Sequence, residues 1–293
     1  MKFIRKMKAK DNSIKYLFQS PGKGFVEAIY FNFKGYYGKP KVNSKVICLS
    51  SQSGCNMGCV FCETGKIKRV INLSSKEMSY EVNYIQKDLK KQKLPPAKFY
   101  AIMGMGEPLN NLEEILKFFH ENRSIVEKIS ISTVGIIPEI KKLIKDKSHD
   151  FDFFISLHSP FERERSKLMP INRKYSIKKL ISVAKKYSKE KKEKITFTYM
   201  LIPNLNDSLK HAKRLAKILN PKYFSVQLTC FNPSGEREIK NARDNFSKKV
   251  NFFIMELKNK GIEFDVQLSK GLEIEGGCGQ FSAKQKNLNT KST

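Results

Sequence analysis

Val46-Ile-Cys-Leu-Ser-Ser-Gln-Ser-Gly-Cys-Asn-Met-Gly-Cys-Val-Phe-Cys62 reads as a short apolar strand running into a turn that carries three cysteines. Cys55, Cys59 and Cys62 follow C-x3-C-x2-C spacing. Three thiolates so spaced suit a 4Fe–4S cluster in which the protein holds three irons and leaves the fourth open. An open iron has room for the amino and carboxylate groups of S-adenosylmethionine (SAM) and can pass it an electron. Phe61, the aromatic residue directly before the third cysteine, belongs with that reading. The competing reading is a zinc knuckle, but zinc takes four ligands. The loop has no histidine to complete the set, and the nearest is His120.

Working outward, strands alternate with helices. The strands are read at Val46–Ser50, Lys98–Met103, Lys128–Ser132, Phe151–Leu157, Ile195–Leu201 and Tyr223–Leu228. Helices are read over Ser75–Lys91, from Asn111, after Pro138, over Ser176–Lys189, from a cap at Asn206 to Leu219, and over Phe246–Asn259. Strict alternation predicts an α/β fold with a parallel sheet and crossover helices. Six units are too few to close an eight-unit barrel, so the expectation is a partial (β/α)6 barrel of TIM type. Functional groups then gather at the C-terminal ends of its strands. Residues 1–44 form a short β-rich N-terminal extension, with a turn at Ser20-Pro-Gly-Lys-Gly24 between two strands. Residues 45–281 form the core, Ile262–Leu268 a seventh, edge strand, and 282–293 a disordered basic tail.

The formal net charge of +28 points to a polyanionic partner, RNA or DNA, because phosphate contacts release condensed counterions. Lysine-rich composition alone is the plainer source of part of that excess. In Phe31-Asn-Phe-Lys-Gly-Tyr-Tyr-Gly-Lys-Pro-Lys-Val-Asn-Ser44 basic and aromatic residues mix as they do where bases stack. No run approaches the roughly 18 apolar residues of a membrane span, and the basic N-terminus is followed by no apolar stretch. Six cysteines, three of them clustered, do not resemble a disulfide framework and fit a reducing cytoplasm.

Each strand end carries a motif. Gly104-Met-Gly-Glu-Pro108 places Gly106 and Glu107 where a carboxylate can fix an ammonium group. Ser132, Ser156 and His158 offer hydroxyls and an imidazole for a carboxylate or ribose, or else cap strands and turns. Asn232, after the sixth strand, has the same two readings. Cys278, in Glu275-Gly-Gly-Cys-Gly-Gln280, sits among glycines that predict a flexible, open segment suited to covalent work. Cys48 ends the first strand and can face the same cavity. For Cys230 a buried structural role is expected.

Taken together these stretches resemble the radical-SAM family of RNA adenine methyltransferases typified by RlmN and Cfr. The likeness runs from about Asp11 to Phe281. It is carried by Val26-Glu-Ala-Ile-Tyr30, Cys48–Cys55, Met103–Asn110, Ser132-Thr-Val-Gly135, Ser156-Leu-His158, Pro170–Tyr175, Phe231-Asn-Pro233 and Gly277-Cys-Gly-Gln280. The resemblance implies the radical-SAM class of barrel, one 4Fe–4S cluster, two SAM per turnover and an external electron donor such as flavodoxin. It implies methylation of an adenine carbon, C2 or C8, of RNA, chiefly 23S ribosomal RNA, by a monomer. In that scheme Cys278 is methylated and its methyl carbon is joined to the base, after which Cys48 forms a disulfide with Cys278 and frees the product. Glu27 matches the family's proton acceptor. Gly106, Glu107, Ser132, Ser156, Leu157, His158 and Asn232 match positions that contact SAM. Members usually carry an N-terminal accessory domain that this sequence largely lacks, and the family favours alanines where Gly276 and Gly277 stand. Two alternatives stay open at this level: the same chemistry on transfer RNA or a peptide, and a non-enzymatic zinc-bearing RNA-binding protein.

Overall fold

Residues 128–133, Lys-Ile-Ser-Ile-Ser-Thr, alternate in character, and the chain buries Ile129 and Ile131 while leaving Ser130 and Ser132 half-exposed. Such period-two alternation gives a strand one apolar and one polar face, and it recurs in neighbouring strands. In the computed structural model, which describes residues 1–22, 24–34, 43–233 and 235–283, ten strands form one sheet whose spatial order is their chain order. They are β1 (Lys2–Lys8), β2 (Ile14–Ser20), β3 (Gly24–Lys34), β4 (Asn43–Leu49), β5 (Phe99–Ile102), β6 (Lys128–Thr133), β7 (Asp152–Ser156), β8 (Ile195–Leu201), β9 (Phe224–Cys230) and β10 (Phe264–Gln267). β1 to β4 pair antiparallel. From β4 onward every pairing is parallel. The result is the expected open, partial barrel.

Among the described residues seven helices make the connections: α1 (Ser75–Lys91), α2 (Leu112–Asn122), α3 (Ile137–Lys145), α4 (Glu162–Leu168), α5 (Ile177–Lys191), α6 (Leu209–Ile218) and α7 (Glu236–Asn259). They cover the apolar face; Phe153 of β7, for example, stacks on Tyr187 of α5 with centroids 4.7 Å apart. α1 starts where its sequence says. Ser74 accepts from the Glu77 amide while the Glu77 carboxylate accepts from the Ser74 amide, a capping box.

Several boundaries differ from the sequence reading. β1 forms where only a charged N-terminus was read, because Phe3 stacks on Tyr84 of α1 at 4.5 Å and Lys6 pairs with Asp88 at 2.6 Å. Within the β-rich N-terminal extension, β1–β3 continue the main sheet under α1. α4 was not anticipated, and α7 begins at Glu236 rather than Phe246. Asn206 does not cap α6; Ser208 stands at that position. Asn206 is buried instead, donating to the His158 and Met200 carbonyls. The described chain runs on through Ala283, and residues 35–42 of the basic–aromatic stretch and 284–293 of the tail lie outside the described residues.

Glu81, on the sheet-facing side of α1, is fully buried. Neither of its oxygens has a hydrogen bond of good geometry among the described residues, although the Ser50 amide stands near enough to act on its charge. Burial pushes its carboxyl well above the usual range, the Ser50 amide opposing and the Glu77 charge adding to the rise. A raised folded-state pKa makes stability fall as pH climbs past the value in the unfolded chain. Glu81→Gln is therefore expected to melt with the wild type near pH 4 and several degrees above it at pH 8. About 1 kcal/mol moves Tm by roughly 2–4 °C at this size. Equal melting temperatures across that range would refute the assignment.

Candidate active site

The cysteine loop leaves β4 and is sewn to the turn after β5. Gly104 N–H donates to the Leu49 carbonyl at 2.9 Å, and Ser51 N–H to the Met105 carbonyl at 2.8 Å. Met105 N–H donates to Ser50 Oγ at 3.0 Å, and Glu107 N–H to Gln52 Oε1 at 2.8 Å. The approach is so close that a Cβ on Gly106, whose φ is +102°, would stand 2.6 Å from Ser51 Oγ. Glycine is required there.

Glu107 is buried, and its carboxylate bridges two strand ends. It accepts from the Leu109 amide at 3.1 Å, from the Val134 amide at 2.9 Å and from the Thr133 hydroxyl. Burial raises its pKa to about 7, against the pull of Thr133, Val134 and Leu109. A cation placed against it would favour the ionised form. That is the behaviour an ammonium-binding carboxylate needs.

Ser132 and Ser156 end β6 and β7 on the half-exposed face. Leu157 packs its side chain into the core, and its carbonyl accepts from Arg165. His158 is buried at a φ of +54°. Its Nδ1 accepts from Met200 N–H at 3.1 Å, which leaves the ring proton on Nε2. Burial and the charge of Arg165 hold its pKa near about 3, so it is a neutral donor. Its ring meets Phe61 edge-on at 5.0 Å, tying the end of β7 to the cysteine loop.

Arg165, on α4, is a residue the sequence reading missed. Its guanidinium is fully buried and donates to the carbonyls of Leu157, Val134 and Ser156 and to Asn172 Oδ1. Burial lowers its pKa to about 10, with Cys59 and Glu162 opposing. It therefore braces the ends of β6 and β7 behind the cysteine loop. Within Glu162-Arg-Glu-Arg-Ser166 it reads as an ordinary exposed charge, and only the neighbouring Pro170-Ile-Asn172 resemblance marks the region.

Lys15, Glu27, Ile29 and Cys48 share one face of the sheet, by alternation within strands and the registers Lys15↔Ile29 and Ile29↔Cys48. The segment after β10 lies on that face. The glycines around Cys278 give room rather than freedom, correcting the sequence reading. A Cβ on Gly276 would stand 2.4 Å from Ile29 Cδ1, and one on Gly277 2.7 Å from Leu272 Cδ2. Gln280 Oε1 accepts from Gly277 N–H at 2.9 Å while its Nε2 donates to the Pro233 carbonyl. Asn232 donates to the Cys278 carbonyl at 3.2 Å and to Ser269, so here it holds the cysteine segment. The segment is also fastened to the cysteine loop, through Glu63 N–H to the Gly279 carbonyl at 2.8 Å and Thr64 Oγ1 to the Phe281 carbonyl at 2.7 Å.

Cys278 is exposed at the surface of this mouth, while Cys48 is buried. Burial raises the thiol of Cys48, and the proximity of Cys278 adds to the rise. Protein atoms around Cys278 raise its thiol too, with Cys62 adding. Cys48, Cys278 and Cys62 are thus near enough for a charge on one to oppose a charge on the next. Cys230 is buried, as expected.

Cys55, Cys59 and Cys62 are all free thiols and half-exposed. Burial raises Cys55 to about 12 and raises Cys59, where the other two thiols add to the effect. Neutral thiols of this kind give up their protons to a bound metal. Among the described residues no three His, Cys, Asp or Glu side chains converge on a single metal-ion position. The fit of a cluster therefore rests on donor chemistry: three soft sulfurs on one loop at the mouth of the barrel, the ligand type iron–sulfur clusters take.

Residues 49–216 match the family model described as the radical SAM superfamily. A probable dual-specificity RNA methyltransferase RlmN of Carboxydothermus hydrogenoformans is 34% identical over 97% of this chain and 80% of its own length. A ribosomal RNA large subunit methyltransferase Cfr of Bacillus velezensis is 33% identical over 97% and 80%. Among solved structures, a radical SAM methyltransferase from Sphaerobacter thermophilus superposes with a TM-score of 0.83 at 29% identity, covering 96% of this chain and 81% of that one. Membership implies a 4Fe–4S cluster and SAM, and Cys55, Cys59 and Cys62 could hold the cluster. The chain belongs to the radical SAM superfamily, and within it to the RlmN and Cfr family.

Proposed function

We propose that this enzyme methylates an adenine ring carbon, C2 or C8, of RNA, with 23S ribosomal RNA as the main substrate, using Cys278 as methyl carrier and Cys48 as the thiol that releases the product. The observation that carries the reading is that the segment of the exposed Cys278 packs on Ile29, the cross-strand neighbour of the buried Cys48, and is fastened to the cysteine loop through Glu63 and Gly279. The names of the relatives and the net charge of +28 support RNA as the acceptor.

When bound, the cluster and SAM supply the electron and the carbon-centred radical chemistry that an unreactive ring carbon demands. Two SAM would be consumed per turnover, one for the methyl group and one for the radical chemistry, with a flavodoxin-like donor as the ultimate source of the electron. The chain's residues do the rest. Cys278 sulfur accepts a methyl group. That methyl would give up one hydrogen atom to the radical drawn from the second SAM, its carbon would bond to the ring carbon, and the one electron left over on the base would return to the oxidised cluster. A Cys48 thiolate attacks that sulfur; the S–S bond forms, the S–C bond breaks, and its electron pair stays on the new carbon, which takes up a proton. The proton of the ring carbon passes to Glu27. An external thiol reduces the disulfide. Glu107 would hold the SAM ammonium, and Ser132, Ser156, His158 and the Leu157 main chain would line the rest of its site. The protein works as a monomer in the cytoplasm.

Anaerobically reconstituted enzyme with methyl-labelled SAM, offered ribosomal RNA and transfer RNA separately, tests this. The expected product is labelled methyladenosine from the ribosomal digest, assigned to C2 or C8 by nucleoside mass spectrometry. Label only in transfer RNA moves the substrate, and label in no nucleoside overturns the proposal.

A further inference from the structure

Both ends of the segment that carries Cys278 are held by one buried ion pair. Lys15 Nζ and Glu27 Oε1 lie 2.8 Å apart with side chains 2% and 4% exposed. Lys15 also donates to the Glu275 carbonyl at 3.0 Å, three residues before the thiol. Its ammonium stands 5.3 Å from the centre of the Phe281 ring, three residues after it. The second oxygen of Glu27 accepts from the amides of Ser282 and Ala283 at 3.0 and 3.3 Å. The β1–β2 turn adds a further hold: Asp11 accepts from Gly271 N–H at 2.9 Å, and Lys10 N–H donates to Glu273. Desolvation offsets much of the attraction in so deep a pair, and an apolar pair often stabilises a fold as well. What an apolar pair lacks is a response to charge.

We propose that Lys15 is a positioning residue for the methyl-carrying cysteine: with Glu27 it clasps residues 275–283 across the barrel mouth, and the clasp loosens when Glu27 takes up a proton. The second half rests on Glu27 being the proton acceptor of the function proposed above. The balance is simple. The ring carbon gives up a proton, its electron pair stays with the base, and the carboxylate becomes a neutral acid. Lys15 keeps its charge and loses its counter-ion. The segment is then released at the stage when Cys278 must leave the base for Cys48.

Hydrogen exchange on full-length protein without cofactors reads the clasp directly. In Lys15→Met and in Glu27→Gln, which mimics the protonated acid, the Ser282 and Ala283 amides are expected to exchange at least tenfold faster. Lys15→Arg should restore protection. In reconstituted protein Lys15→Met should also slow methyl labelling of Cys278 at least tenfold at unchanged iron content, again with rescue by arginine. Should the lone carboxylate prevent folding, the neutral double variant Lys15→Met, Glu27→Gln carries the same expectations. Unchanged exchange in Lys15→Met overturns the clasp, and faster exchange with normal labelling reduces Lys15 to a structural role and overturns the positioning claim. Failure of the wild type to label Cys278 would remove the functional reading, while the exchange experiment would still decide the clasp.

Discussion

Cys278→Ala is expected to lose methyl transfer to RNA by more than about a thousandfold while iron content and SAM cleavage stay near wild type. That loss is at least about 4 kcal/mol, at about 1.4 kcal/mol for each factor of ten. The reasoning is chemical. Alanine offers no sulfur to hold the methyl, so the covalent route is removed rather than weakened. The fold should tolerate the change. The Cys278 side chain is exposed, and the bonds that fasten its segment come from Gly277, Gly279, Gln280, Phe281 and main-chain atoms. Peptide mass spectrometry of wild type and variant after incubation with methyl-labelled SAM makes the comparison. A label on Cys278 that is absent from the variant fits the mechanism. Full RNA methylation by the variant would end it.

Cys48→Ala is expected to do the opposite: reach the RNA and never leave it. Without the second thiol nothing attacks the Cys278 sulfur, so the joined species should accumulate to about one RNA per protein and turnover should stop. Gel electrophoresis before and after nuclease treatment detects it, and multiple turnovers with no adduct would exclude Cys48 from release. In the wild type the same step carries a pH signature. Burial and the nearby Cys278 hold the Cys48 thiol well above an ordinary cysteine, so at neutral pH only a small thiolate fraction is present. Release should therefore quicken as pH rises, about tenfold per unit while the thiol stays mostly protonated.

Much of this architecture could be read from local patterns. The alternation of strands with helices marked β4 to β9, and the spacing of Cys55, Cys59 and Cys62 marked the cysteine loop. What escaped was set by register and contact across the chain. Lys15 and Glu27 become a pair only because β2 and β3 align them diagonally. Arg165 looks solvated in sequence and is buried because four neutral oxygens converge on it. Gly276 and Gly277 were misread because glycine marks both freedom and lack of space, and the difference lies in Ile29 and Leu272, far away in sequence. Asn206 was misread likewise, its bonds to His158 and Met200 outcompeting a helix cap.

The linear strand order has a consequence for synthesis. β1 to β10 add to the sheet in the order the ribosome makes them, so the cluster loop and all its strand-end partners can assemble on a growing chain. Residues 271–283 follow the last of these strands in the chain, yet they supply Cys278, the proposed carrier thiol, and the amides that meet Glu27. On the proposed function, a nascent chain therefore holds its cysteine loop before it holds the thiol that would carry the methyl group. Only when that last piece closes back onto the first strands do the two coexist.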